Sequence, residues 1–391
     1  MNKTDKNNEN RRSYFVTTTG HKLIIEKMHL CSWLFYDAKE CLEVGLQIKF
    51  ERGLMPPNSN IDLTLWMPWV KKDGDNKTEV NDLYDALADR ENCQFIFNEE
   101  AQGVENFEGL KDGDGKLVRF FNDETLCVLK ANAHVEDMRV NLSLRIPDDH
   151  GKTKIGDHLY ARILMEVPSS CFSLRQKGIS KTIYSYDVKV NEPRNLPDSG
   201  DFHPNQICPI AKLFCIHIVP SDFCLSFLDH NAFKNVRILE KTSYEKYVQK
   251  AGSVLPANVK KGSLLVVFNK RKVNKVIDEK GNYLPIENIQ IEPGSSFSVF
   301  EVDSIGYSQV VLAIVLNFAC SLFFYLISLR PDNKVFTWPL SRVSYAFLGI
   351  VIVLSLASWA LVRQQIKWWI FLLYLFVVVG GLGILAKWVI A

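Results

Sequence analysis

Residues 44–51, VGLQIKFE, decide how the N-terminal three quarters of the chain is read. Val44, Leu46, Ile48 and Phe50 alternate with Gly45, Gln47, Lys49 and Glu51, the period of two that a strand shows when one face is buried. Working outward, the same alternation recurs at Ile61, Leu63, Leu65 and Met67, and at Met138, Val140, Leu142 and Leu144. It returns at Leu159, Ala161, Ile163, Met165 and Val167, then at Tyr184, Tyr186, Val188 and Val190, and at Phe214, Ile216 and Ile218. Turn-forming sequence separates these runs at 112–115 (DGDG), 147–151 (PDDHG) and 279–282 (EKGN). Short alternating runs with few helical ones predict a mainly β region of sandwich type. The clearest helix candidates in this region are 81–90 and a short one near 242–250, both brief and polar.

Residues 191–209 gather Pro193, Pro197, Pro204 and Pro209 with Asn, Asp, Ser and Gly, which marks a linker. The expected layout is a disordered polar tail over 1–12, a β-rich domain over 13–190, the linker 191–209, and a second β-rich domain over 210–303. A single larger β domain with the proline-rich segment as an internal loop is the alternative. The last expected strand, 296–302, leads within a few residues into apolar sequence.

Residues 308–329 (SQVVLAIVLNFACSLFFYLISL) carry no charge, and a helix rising 1.5 Å per residue needs roughly 20 residues to cross ~30 Å of hydrocarbon. Residues 343–362 and 368–386 repeat the pattern. Trp338, Trp359, Trp368, Trp369 and Trp388 lie at or near the ends of these runs, where amphipathic rings favour the headgroup region. A compact bundle of three transmembrane helices is therefore predicted over 308–391. Gly380, Gly381 and Gly383 would let backbones approach, and the mid-span amide of Asn317 would bond between helices. No carboxylate, His or Arg interrupts the spans, which argues against an ion-coupled pump.

The overall balance, 46 Lys and Arg against 44 Asp and Glu, argues against sequence-specific nucleic-acid binding. Its distribution is lopsided: residues 73–114 hold thirteen acidic and three basic residues, residues 234–280 twelve basic and four acidic. Lys260, Lys261, Lys270, Arg271, Lys272 and Lys275 form a basic patch close in sequence to the first apolar run, placed to attract anionic lipid or a phosphorylated small ligand. Nine cysteines without CxxC pairs fit a reducing compartment, and no signal-like segment precedes residue 300. The expected location is a bacterial inner membrane, multi-pass, with the N-terminal region cytoplasmic and the C-terminus on the far side.

No phosphate loop, dinucleotide fingerprint, H-E-x-x-H or G-x-S-x-G is present, and no cofactor is expected. The opening at Asp112 resembles a calcium loop, but Lys116 and Asp123 occupy ligand positions wrongly, so a hairpin turn is preferred and no metal is assigned. His203, Cys208, Cys215 and His217 match no zinc spacing and are read as core and loop residues. His150, His158 and His230 each follow an aspartate, a pairing that could orient an imidazole. These features lead to the expectation of a non-enzymatic sensor or effector. Its cytosolic β region would bind a ligand or partner, while the helices tether it or, on homo-oligomerisation, perturb the membrane. Bacterial stress or anti-phage defence is suggested by layout alone. The alternatives are a membrane-bound hydrolase-type enzyme and an accessory subunit of a membrane complex.

Overall fold

The computed structural model describes residues 13–20, 23–33, 40–49, 59–74, 77–97, 101–106, 115–120, 125–146, 158–167, 173–177, 181–221, 223–228, 233–239 and 264–303. The tail 1–12, the expected helix at 242–250, the turns at 112–114 and 147–151, and the whole block 308–391 with Asn317, Gly380, Gly381 and Gly383 lie outside the described residues. Among the described residues no helix is long and apolar enough to cross a membrane. The chain divides into two compact units, residues 1–175 with 184–301, and residues 176–183 with 302–391.

In chain order the elements are β1 (Ser13–Thr18), β2 (Ile24–Trp33), β3 (Glu40–Lys49), β4 (Asn60–Trp66), β5 (Glu79–Asp82), α1 (Arg90–Phe97) and β6 (Ala101–Asn106). There follow β7 (Gly115–Phe120), β8 (Thr125–Leu129), β9 (Ala131–Glu136), β10 (Arg139–Arg145), β11 (His158–Val167) and β12 (Ser173–Lys177). The last are β13 (Lys181–Val190), β14 (Ile210–Pro220), β15 (Phe223–Leu228), β16 (Phe233–Leu239), β17 (Leu264–Lys272) and β18 (Gly294–Asp303). The fold is mainly β. An eight-stranded sheet runs β15-β18-β13-β1-β4-β10-β9 with β12 beside β13, and a ten-stranded sheet runs β16-β17-β14-β2-β3-β11-β8-β7-β6 with β5 beside β11.

Each sheet contains strands from both sides of residues 191–209, because β18 lies beside β13 in the eight-stranded sheet and β2 pairs β14 in parallel in the ten-stranded one. The expectation of two β domains joined by a linker is corrected accordingly: among the described residues the proline-rich segment is a loop within one β unit. Parallel insertion of an N-terminal strand leaves no seam where two cores could separate. The loop is pinned at both ends, with Asn191 N–H bonding the Tyr14 carbonyl at 2.9 Å and Cys208 N–H the Val16 carbonyl at 2.8 Å.

The strands expected around residues 44, 61, 159, 184, 214 and 296 are all present. The one expected from Met138 begins at Arg139, since Met138 has φ 65° and completes the turn from β9. The helix expected at 81–90 is displaced. Asp82 ends β5 by accepting the Tyr84 N–H, and Asp89 instead starts α1, accepting the Glu91 N–H at 2.9 Å. The buried side chains Cys93, Ile96 and Phe97, spaced at three and four residues, form the packed face of this helix.

One face of the ten-stranded sheet packs on the eight-stranded sheet. Tyr14 and Tyr186 meet Leu30, Leu42, Cys215 and His217 there around a cavity of about 10 Å³, and the Phe300 ring packs on His217. The other face curls around α1. Cys31, Trp33, Ile216, Ile218 and Phe268 from one end of the sheet share a cluster with Val118, Phe120, Leu126 and Val128 from the other end and with Phe97. Gly45 is required inside this curl, because a Cβ there would stand 2.1 Å from the Tyr160 hydroxyl.

His217 lies between the sheets, Nδ1 2.7 Å from Ser32 Oγ and Nε2 3.2 Å from Ser298 Oγ, flanked by the Tyr186 and Phe300 rings. Burial pushes its imidazole from 6.5 down to about 4. The unfolded chain therefore takes up this proton first. Stability is complete above the unfolded value and falls as pH drops through the window down to the folded value, by about 3 kcal/mol for this group alone. Two outcomes are expected in thermal melts of the full chain. Gly45→Ala lowers stability by about 1–3 kcal/mol, and His217→Gln reduces the loss of stability between about pH 6.5 and 4.

Candidate functional site

The inner face of the curl carries polar side chains arranged in rows by the strand register. Lys272 on β17 stands opposite Lys212 on β14, Lys212 opposite Lys27 on β2, and Lys27 opposite Gln47 on β3. The next row inward reads Lys270, Phe214, His29, Gly45 and Arg162. Neighbouring strands are about 4.8 Å apart, so three lysines lie side by side on adjacent strands. Like charges placed directly opposite one another are destabilising. Lys270 and Lys272 are exposed and Lys27 and Lys212 half-buried, so the row forms a cationic rim at the margin of the buried face. Lys270 also lies over the Phe214 ring, 5.1 Å from its centroid.

Behind the rim the polar groups are buried and mutually bonded. Arg162 donates from Nε to Glu43 Oε2 at 2.8 Å and again from Nη2, and Trp33 Nε1 donates to Glu43 Oε1 at 2.7 Å. Arg162 Nη1 donates to the Tyr160 hydroxyl at 3.0 Å, which leaves that hydroxyl proton for His29 Nδ1 at 3.0 Å. Burial drives the His29 imidazole far below its ordinary value, with the Arg162 and Lys27 charges adding to it, so His29 is neutral and accepts. Burial also pushes the Tyr160 phenol up to about 12 against the pull of Arg162. The network fixes the inner wall of the site and holds no mobile proton at neutral pH.

At the β3 side of the row, a bulge between Ile25 and Lys27 lets Glu26 join the same face. His158 Nδ1 donates to Glu26 Oε2 at 2.6 Å, Gln47 Nε2 to the same oxygen at 2.9 Å, and the Tyr283 hydroxyl to Oε1. Burial works against the Glu26 charge, but the His158, Tyr283 and Gln47 bonds outweigh it and hold the carboxyl below its usual value.

The basic patch expected from sequence is thus only partly assembled on one face. Lys270 and Lys272 share the rim, and Lys275 is exposed just beyond β17. Arg271 faces the other way, its Nη1 donating to the Ser295 carbonyl at 2.8 Å on β18. Lys260 and Lys261 lie outside the described residues, as do His150, His230 and Asp123. His158 takes Glu26 as a carboxylate partner, His203 is exposed in a loop, and His217 belongs to the core. Cys208 and Cys215 are buried thiols that burial pushes up to about 12. Among the described residues no group of three or more His, Cys, Asp or Glu is placed to hold a metal ion. Sequence reasoning missed Lys27, Lys212, Glu26 and Tyr283. The available signal was a lone lysine inside each of two apolar strands, IIEKMHL and IAKLFCI.

No family model matches the chain, and no curated protein matches it. Among solved structures it is similar to an M1 zinc metallopeptidase from Deinococcus radiodurans, with 9% identity and a TM-score of 0.26 over 71% of this chain and 42% of that one. A putative protease from Parabacteroides distasonis gives 8% identity and a TM-score of 0.25 over 80% of this chain and 47% of that one. The Fcho1 mu homology domain from Danio rerio, with bound Eps15 peptide, gives 8% identity and a TM-score of 0.13 over 75% of this chain and 82% of that one. The chain spans less than half the length of the first two. At TM-scores this low, none of the three carries an argument about this chain.

The buried pair gives a direct check. Arg162→Met should destabilise the full chain by about 3–5 kcal/mol, because it leaves the Glu43 charge buried without its guanidinium. Arg162→Met combined with Glu43→Leu should recover most of that loss, read as the midpoint of chemical unfolding.

Proposed function

We propose that this chain is a membrane-anchored sensor or effector whose β region binds an anionic ligand at the lysine rim. The observation that supports the reading is the alignment of Lys27, Lys212 and Lys272 on three adjacent strands. Ammonium groups brought side by side on adjacent strands can each donate a charge-assisted hydrogen bond to one multivalent anion. Phosphate oxygens suit such a row, whether on a lipid headgroup or on a free phosphorylated small molecule. Residues 308–391 serve as the anchor through their three charge-free runs, and the β region lies on the cytoplasmic side of a bacterial inner membrane with the C-terminus beyond it. Assembly of several copies, or docking into a larger membrane complex, would let ligand binding alter the membrane.

A second reading, a hydrolase-type site, is favoured by one observation. Glu26 bonds His158 at Nδ1, the arrangement that orients an imidazole to act through Nε2. On that reading His158→Ala abolishes turnover of a chromogenic ester or phosphate by the full chain.

The binding reading is tested with the full chain in nanodiscs of zwitterionic lipid, titrated with pyrophosphate by calorimetry. Binding should weaken steeply as salt rises, and replacing Lys27, Lys212 and Lys272 together by alanine should reduce affinity by about a hundredfold. Anionic lipid in the disc should compete with pyrophosphate if headgroups occupy the rim, and leave it unaffected if they do not. Equal affinity in the triple variant would remove the proposal. For the anchor, membranes washed in alkaline carbonate should retain the full chain and release a truncation lacking residues 304–391.

A further inference from the structure

We propose that the outer face of the eight-stranded sheet is a second binding site, for a neutral oligosaccharide. Register again builds the surface. Thr17, Thr64, Asn141 and His134 form one row across β1, β4, β10 and β9, and Asp62, Ser143 and Asn132 form the next. These side chains alternate with the buried Leu63, Leu65, Leu142 and Leu144, so they all point away from the core.

An antiparallel sheet commonly shows water a polar face, and three features separate this face from that ordinary case. The face is a depression of about 690 Å³, walled on one side by Asp201, His203 and Gln206 from the proline-rich loop, a size within the usual range of ligand sites. Its floor is held in place before any ligand arrives. Thr64 Oγ1 donates to Asn141 Oδ1 at 3.0 Å, Trp66 Nε1 donates to Thr17 Oγ1 at 2.9 Å, and Arg139 Nη1 donates to Asp201 at 2.9 Å. The third feature is the accessibility of the polar groups: Asp62 and Asn132 are exposed and Ser143 and Gln206 half-buried, and all four line this depression.

The chemistry of those groups selects the ligand class. Arg139 is already held between Glu136 and Asp201, leaving the Asp62 carboxylate as the dominant charge, so a phosphate or carboxylate ligand is disfavoured. A protein partner would want apolar anchors. The large exposed apolar side chains, Leu174, Leu196, Phe227, Ile277, Ile291 and Phe297, line no part of the depression. A carboxylate, amides and hydroxyls packed at strand spacing match a ligand that carries many hydroxyls, each both donor and acceptor. Asp62 would accept from a vicinal pair of them, with Asn132 and Ser143 completing the set.

The test uses the full chain in nanodiscs, because glycosidic detergents would compete, and titrates maltohexaose, cellohexaose and chitohexaose by saturation-transfer NMR and calorimetry. At least one should bind with a Kd between about 10 μM and 1 mM. Asp62→Ala and Ser143→Ala, both at partly or fully exposed positions, should each weaken it about tenfold while leaving the melting temperature and pyrophosphate binding unchanged. Absence of binding by all three sugars at millimolar concentration, or binding unaltered in both variants, would overturn the proposal.

Discussion

The insertion of the N-terminal strands holds the β unit together. β1 sits between β13 and β4, and β2 sits between β14 and β3, so each sheet is closed by a segment from the start of the chain. Both inserted strands are buried over almost their whole length. Without β2 the ten-stranded sheet would fall into one part built from residues before the proline-rich loop and one from residues after it, and without β1 the eight-stranded sheet would lose the link between β13 and β4. The parallel pairings join residues more than 170 positions apart, such as Lys27 with Lys212 and Tyr14 with Val190. Such non-local pairing makes for slow, cooperative folding.

The same insertion creates the lysine rim. Lys27 arrives on β2 and meets Lys212 and Lys272 only because β2 enters the sheet beside β14 in that register. The bulge after Ile25 then turns Glu26 onto the same face, where His158 and Tyr283 hold it. The rim margins a wall whose charges are internally neutralised, since Arg162 and Glu43 are buried together and His29 accepts rather than carries a proton. An incoming anion therefore meets fixed positive charge at the surface and a rigid wall behind it. The two candidate sites are distinct in chemistry as well as in sheet: one is a row of cations, the other a floor of hydroxyls and amides with a net acidic balance.

Much of the β framework is legible in the sequence, for a physical reason. Strands such as β4, β10 and β13 have one face on the core and one in solvent, so their side chains alternate. β2 and β14 are buried on both faces, so IIEKMHLCSW shows no clean alternation and IAKLFCIHIVP shows it only at Phe214, Ile216 and Ile218. The division into two β domains failed for a related reason: a proline-rich loop looks the same whether it joins domains or crosses one. The helix at 81–90 was misplaced because Asp82, Asp85 and Asp89 all offer cap chemistry, and tertiary bonding of Asp82 to the Ala131 N–H chose among them. Site residues were legible only where charges were adjacent in sequence. Lys270 and Lys272 could be found that way, whereas Lys27 and Lys212 become a site only through strand order.

Locating a bound anion tests the central claim most directly. Crystals of the full chain soaked in tungstate, an electron-dense phosphate mimic, should show anomalous density above the row formed by Lys27, Lys212 and Lys272. Density there that vanishes when Lys212 is replaced by glutamate is the result expected of an anion-recognising rim. A rim left empty at saturating tungstate, with density elsewhere on the molecule, would contradict it.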